Sequence, residues 1–235
     1  MRVEPYSVDS IIHVTKRGAR GMRITRSIRD QERFVHMLYY LNSEHQPDHW
    51  DREVWHPERF EWPRHWKARV PLVRVLAWTL MPNHFHLLLQ ETREGGVSKF
   101  MQRLCGSMSK HFNTKYEEAG SLFQSSFKSR TVSSDRYLRW CAPYILVKNP
   151  FELYPGGLRG ATENFERAWS WALTYRFSSL PVYGASRRSP IIETENNILH
   201  EMFETSATFK KASREMIEGR AWEDDDELEA LALEG

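Results

Sequence analysis

Leu72 to Gln90 reads LVRVLAWTLMPNHFHLLLQ: two apolar, β-prone runs separated by Met81-Pro82-Asn83. The Pro-Asn step signals a tight connection, so the stretch predicts two adjacent strands, 72–80 and 84–90. Side chains alternate along a strand, which puts His84 and His86 on one face and Phe85 on the other. Two histidines on one face can hold a divalent ion at an open site if a third ligand arrives from elsewhere. With 10 histidines in 235 residues, chance alone supplies about 0.4 such pairs. By spacing alone the pair also fits ordinary half-exposed strand histidines.

Outward from this hairpin the chain alternates in period. Ser10–Lys16 (SIIHVTK) is a short β-branched run ended by Arg17-Gly18, a strand followed by a loop. Asp30–Ser43 places Phe34, Met37, Leu38 and Leu41 at helical intervals, with Asp30 as a candidate cap. Val97–Tyr116 repeats the pattern with Val97, Phe100, Met101, Leu104, Met108 and Phe112, and Gly120 is the expected break. Ser126–Val132 reads as a strand. Asp135–Lys148 reads as a helix ending before Asn149-Pro150. The order β-α-β-β-α-β, with a further helix, predicts an α+β fold with a ferredoxin-like or RRM-like antiparallel sheet. Its helices are expected on one face. Residues 45–70 hold four Trp, three Pro and four His without either period, an irregular insertion whose tryptophans either pack down or form a stacking surface. Residues 151–235 read as loops with two or three added helices.

Composition bounds the function. Hydrophobic residues at 40% and aromatics at 13% suffice for a packed core, while 27% charge and a mean hydropathy of −0.62 argue for a soluble protein. No stretch approaches the roughly 18 apolar residues of a membrane helix. MRVEPYSVDS has no apolar signal core, so a cytoplasmic location is expected. Two cysteines, Cys105 and Cys141, exclude a disulfide framework or a structural zinc cluster. Of the 31 acids, seven lie in 221–235, so the net +2 conceals a body at +9. A body of that charge favours polyanions, and the acidic tail either masks it or aids solubility.

With the hairpin come HVTKRG at 13–18, GGVSKFMQRL at 95–104, GSLFQSSFKS at 120–129, DRYL at 135–138 and YILVKNP at 144–150. Together with MPNHFHLL these motifs, in this order, resemble the single-tyrosine HUH endonucleases: the insertion-sequence-200-like and REP-associated tyrosine transposases. The resemblance spans about residues 8–180. It implies a transposase domain at 1–180 containing the 45–70 insertion; the residues beyond match no motif of the family and read, from pattern and charge alone, as a helical extension at 181–220 and the acidic tail at 221–235. It also implies that His84 and His86 bind Mg²⁺ or Mn²⁺ and that Tyr144, on an added helix after the last strand, is the nucleophile. The partner expected is single-stranded DNA bearing hairpins, with the protein acting as a monomer or homodimer.

A phenol suits that chemistry. Attack on a phosphodiester leaves a covalent 5′-phosphotyrosine and a free 3′-hydroxyl, which can reverse the step and rejoin the strand. The ion polarises the phosphate. An ordinary tyrosine, of pKa about 10, also needs the ion or a nearby cation, and Lys148 lies four residues on, on the same helical face. Tyr137, seven residues before Tyr144, shares that face, and only the family position separates the two.

The chain departs from the family where the third ligand is expected. Relatives often carry an amide four residues after the tyrosine; here that place is Lys148, and Asn149 follows one step later. At about 100° per residue, Asn149 then points away from the Tyr144 face. Either a kink at Pro143 re-registers Asn149 as a ligand, or water or substrate fills the position. The glycine-broken basic run from Lys16 to Arg29, with Arg17, Arg20 and Arg23, reads as a phosphate-contacting loop. Lys128, Arg130 and Lys148 join it, and Lys99, Arg103 and Lys110 are candidates to extend the track. Phe123, Phe127, Trp50, Trp55, Trp62 and Trp66 are candidate stacking platforms. Two other readings fit the same residues: an inactive or domesticated single-strand-binding protein, and a two-histidine phosphoesterase using activated water.

Overall fold

Ile11, Ile12, Val14 and Thr15 open the first strand of the computed structural model, which describes residues 6–45, 50–54 and 59–219. The elements in order are β1 (Ile11–Arg17), α1 (Ile28–Tyr40), α2 (Trp50–Glu53), β2 (Val73–Leu80), β3 (His84–Glu91), α3 (Gly96–Tyr116) and β4 (Lys128–Thr131). The strands form one antiparallel sheet in the order β2-β3-β1-β4. This is the split βαβ arrangement expected from the sequence, and the fold is α+β as predicted.

One sheet face carries Ile12, Val14, Trp78, Phe85 and Leu87 and is covered by α1 and α3. Phe34 of α1 packs on Phe85 at 5.1 Å and on Trp78 at 6.3 Å. Asp30 ties the two covering helices together. Ser27, not Asp30, is the N-cap of α1; Asp30 is the third residue of a capping box, accepting from the Ser27 and Arg26 amides at 3.0 and 2.9 Å. The same carboxylate accepts from Lys115 at 2.6 Å and Tyr116 at 2.5 Å on α3, with His111 at 3.2 Å. Burial alone would raise the Asp30 carboxyl. The hydrogen bonds outweigh it and hold the group well below the usual carboxylate range.

α3 ends at Glu117, which takes the left-handed conformation at φ 53°, three residues before the glycine expected to break it. Gly18 closes β1 for a different reason. A Cβ there would lie 2.2 Å from the Met22 carbonyl, and its N–H donates to Asn83 O at 2.8 Å, docking β1 against the Met81–Asn83 connection.

On the other sheet face lie α4 (Asp135–Pro143), a π-helical turn (Tyr144–Lys148) and α5 (Asn149–Glu152), which form one continuous rod. The helix therefore runs through Asn149-Pro150 instead of stopping before it. The wider turn accommodates a proline at the start of α5 without breaking the rod. Beyond it follow α6 (Gly157–Glu163), α7 (Phe165–Ala172), α8 (Leu180–Gly184), α9 (Ile198–Met202) and α10 (Ser206–Ile217). These are more helices than the periodicity gave, because four of them run only five to eight residues, about two turns of pattern at most.

The added segments brace the sheet. Residues 177–179 pair along β2, through Leu80 N to Phe177 O and Ser179 N to Trp78 O, both at 2.9 Å, covering that edge. α10 packs on α4 and α8. In the insertion, Trp50 is buried and stacks on Tyr40 at 5.4 Å, Trp62 stacks on Tyr40 at 6.3 Å, and Trp66 meets Trp62 edge-on at 5.1 Å. These three pack down. Trp55 and the acidic tail lie outside the described residues. Among the described residues, no helix is long and apolar enough to cross a membrane.

Candidate active site

Strand alternation puts His84 and His86 on the face opposite Phe85, and cross-strand register completes the surroundings. His86 sits opposite Thr15 on β1 and Thr79 on β2, while His84 sits opposite Arg17. The same register brings His13, two residues before Thr15, onto this face. His84 and His86 rings meet at 5.1 Å, and the His13 ring lies 5.2 Å from that of His86 with its Nε2 2.9 Å from His86 Nδ1. All three rings are buried.

The rod lays Tyr144 over this cluster. Its ring meets His86 at 5.7 Å and His13 at 5.9 Å, both edge-on, and stacks on Trp140 at 4.6 Å. Tyr144 is 3% exposed, so the histidine side of the rod is an interior surface. Thr79 anchors the wide turn by donating from Oγ1 to Ile145 O at 2.7 Å. The tyrosine and histidines predicted from the sequence are thus brought together within one chain. Tyr137 is buried two turns before Tyr144, against Trp140.

The π turn changes the position of Asn149. Its backbone N–H bonds to Tyr144 O, five residues back. At roughly 80° per residue, five steps bring Asn149 to within about 50° of the Tyr144 direction, against about 140° in an α-helix. Asn149 is fully buried. Its amide donates a long 3.5 Å bond to Ile145 O, and Oδ1 has no hydrogen-bond partner among the described residues. Lys148 is turned to an ion pair with Glu152 at 2.6 Å, its ammonium 4.9 Å from the Tyr144 ring centroid.

The donor set fits a small hard cation. The Asn83 side-chain amide places its oxygen 2.7 Å from His84 Nδ1. An amide oxygen only accepts, so with that assignment the hydrogen sits on Nδ1 and the lone pair on Nε2. Two imidazoles, an unsatisfied amide oxygen and open positions for substrate oxygens suit Mg²⁺ or Mn²⁺. Among the described residues, no three His, Cys, Asp or Glu side chains are arranged to hold an ion. A ligand set here therefore needs the amide, water or substrate beside the histidine pair.

The basic candidates divide. Lys128 stands opposite Thr15 and Arg130 opposite His13, which puts both cations of the edge strand β4 on the histidine face. Arg17 ends β1 on that face, and exposed Arg20 and Arg23 follow in the adjoining loop. Lys99, Arg103 and Lys110 do not extend the track. They belong to α3, across the sheet, where Arg103 binds the Ser43 and Glu44 carbonyls. Phe123 is likewise core, 6.1 Å from Phe85, with Lys16 over its ring. Sequence reading missed that His13 and Thr79 lie beside His86. The signal for His13 was the i, i+2 spacing to Thr15 and Arg17 on β1, legible only once register is known.

Residues 66–147 match the family model described as "Transposase IS200 like", a segment holding both strand histidines and Tyr144. The match bears out the family resemblance drawn from the sequence motifs. No curated protein matches the chain. Among solved structures, one described as a REP-associated tyrosine transposase bound to a REP hairpin is similar at 11% identity, covering 84% of this chain and 95% of that one, with a TM-score of 0.44.

Proposed function

With residues 66–147 matching the IS200-like transposase family as premise, we propose that this protein cleaves and rejoins single-stranded DNA at hairpin-bearing ends through a covalent tyrosine intermediate. The observation that carries the reading is the packing of Tyr144 against His86 at 5.7 Å inside one chain. Tyr144 Oη attacks the scissile phosphorus. The bond to the 3′ oxygen breaks, leaving a 5′-phosphotyrosine and a 3′-hydroxyl that has taken up a proton, while the phenolic proton leaves to solvent. Attack by a 3′-hydroxyl reverses the step and needs no outside energy source.

His84, His86 and Asn149 are the residues that would hold the cation. Mg²⁺ or Mn²⁺ supplies Lewis-acid polarisation of the phosphate when bound. Lys148 places positive charge beside the ring whose oxygen becomes nucleophilic. Trp140 and His13 fix that ring by packing, so attack starts from a defined geometry. Arg17, Arg20 and Arg23, with Lys128 and Arg130, bind the strand's phosphates along the open β4 side. Since Tyr144 meets its own chain's histidines, the reaction runs in cis.

A denaturing gel tests the reading. A pool of end-labelled, hairpin-bearing single strands is incubated with Mn²⁺ and wild type, Tyr144→Phe or His86→Ala. Cleavage by wild type is expected to fall below about a thousandth in Tyr144→Phe, as for loss of other catalytic nucleophiles. Equal cleavage by wild type and Tyr144→Phe would remove the tyrosine from the mechanism.

A further inference from the structure

We propose that His13 is a positioning residue for His86: it accepts a hydrogen bond from His86 Nδ1–H, which fixes the ring and turns Nε2 toward a divalent cation. The inference rests on the metal-assisted reading above. Its observation is separate: His13 Nε2 lies 2.9 Å from His86 Nδ1, with the ring planes 27° apart and both residues 0% exposed.

One nitrogen of such a pair must donate and the other accept. If His13 donates, His86 carries its own hydrogen on Nε2 and cannot ligate through that atom. If His86 donates, its Nε2 keeps the lone pair. Asn83 imposes the second pattern on His84, holding Nδ1 at 2.7 Å. The two rings then present the same nitrogen. Metal-binding histidines usually bond through the other ring nitrogen to a carboxylate, carbonyl or water. Here a neutral imidazole takes that place, and at zero exposure it avoids the cost of burying a carboxylate. The geometry also argues against direct ligation through His13 Nε2, because that atom is taken up 2.9 Å from His86 Nδ1. Arg130, opposite His13 on β4, and Tyr144, edge-on to it at 5.9 Å, complete its setting.

Two measurements test this without using cleavage. Long-range ¹H–¹⁵N correlation spectra of ¹⁵N-histidine-labelled, metal-free wild type should show His86 protonated on Nδ1. A His86 protonated on Nε2 overturns the proposal. Mn²⁺ titration by calorimetry then compares wild type with His13→Phe, which keeps the ring, and His13→Gln, which keeps an acceptor, after circular dichroism has confirmed that each is folded. His13→Phe should bind Mn²⁺ about 10- to 100-fold more weakly, with His13→Gln recovering most of the loss. Unchanged affinity in His13→Phe, beside a loss in His86→Ala, overturns the role of His13 alone. No Mn²⁺ uptake by wild type, with His86 in the expected tautomer, overturns the cation-presenting role and the metal reading together.

Discussion

Thr79 shows what one hydroxyl does for the site. The π turn redirects backbone carbonyls, and Thr79 Oγ1 takes up that of Ile145 while lying 3.1 Å from Ser178 Oγ. Thr79→Val keeps the shape and leaves the buried Ile145 carbonyl with only the long Asn149 bond, costing about 1–3 kcal/mol. For a chain of this size, calorimetry should show a Tm lower by about 2–12 °C. An unchanged Tm would mean that the turn does not depend on this bond. The histidine pair was legible in the sequence because it follows the two-residue strand repeat. The contribution of His13 was not, since it depends on Thr15 standing opposite His86, a register set by hydrogen bonds distant in sequence.

Among the elements, the rod from Asp135 to Glu152 departs most from its sequence pattern. A 3.6-residue repeat has no sign for one inserted residue, so Asn149 read as facing away from Tyr144. The π turn brings it round. If Asn149 is a ligand, Asn149→Asp retains Mn²⁺ binding and Asn149→Leu weakens it at least tenfold in calorimetry. Equal binding by both variants would assign the third position to water or substrate. The α1–α3 clamp makes a separate prediction. The Asp30 carboxyl is depressed in the fold, so its stabilisation is present above the unfolded value of about 4 and is lost as pH falls through the folded one. Chemical denaturation should show stability declining below about pH 4, and Asp30→Asn should lose about 2–4 kcal/mol at neutral pH with a flatter acid limb. An acid limb as steep as wild type's would place the titration elsewhere.

At the level of the whole molecule, the sheet separates the face covered by α1 and α3 from the face that carries the histidines beneath the rod. Helical periodicity told which side of α3 is buried but not which sheet face it covers, which is why Lys99, Arg103 and Lys110 read as part of the basic track. β4 was legible as a strand, whereas its place at the edge, carrying Lys128 and Arg130 beside the histidines, needed the topology. Removing either cation should reduce the salt dependence of single-strand binding by about 0.7 in log K against log salt for each phosphate that the variant leaves unneutralised. A slope unchanged in the double variant would move the strand off this edge. The rod rests on its own sheet, with α10 packed against it. A mixture of Tyr144→Phe and His86→Ala proteins should therefore recover no cleavage. Recovery would mean that the tyrosine helix is exchanged between two copies.

The central claim is that Tyr144 carries the DNA. Mass spectrometry of the tryptic peptide Trp140–Lys148, after reaction with hairpin-bearing single strands, Mn²⁺ and nuclease trimming, tests it most directly. The expected result is a 5′-phosphonucleotide on Tyr144. Cleaved strands with free 5′-phosphates and an unmodified peptide would instead indicate hydrolysis by activated water at the same histidines.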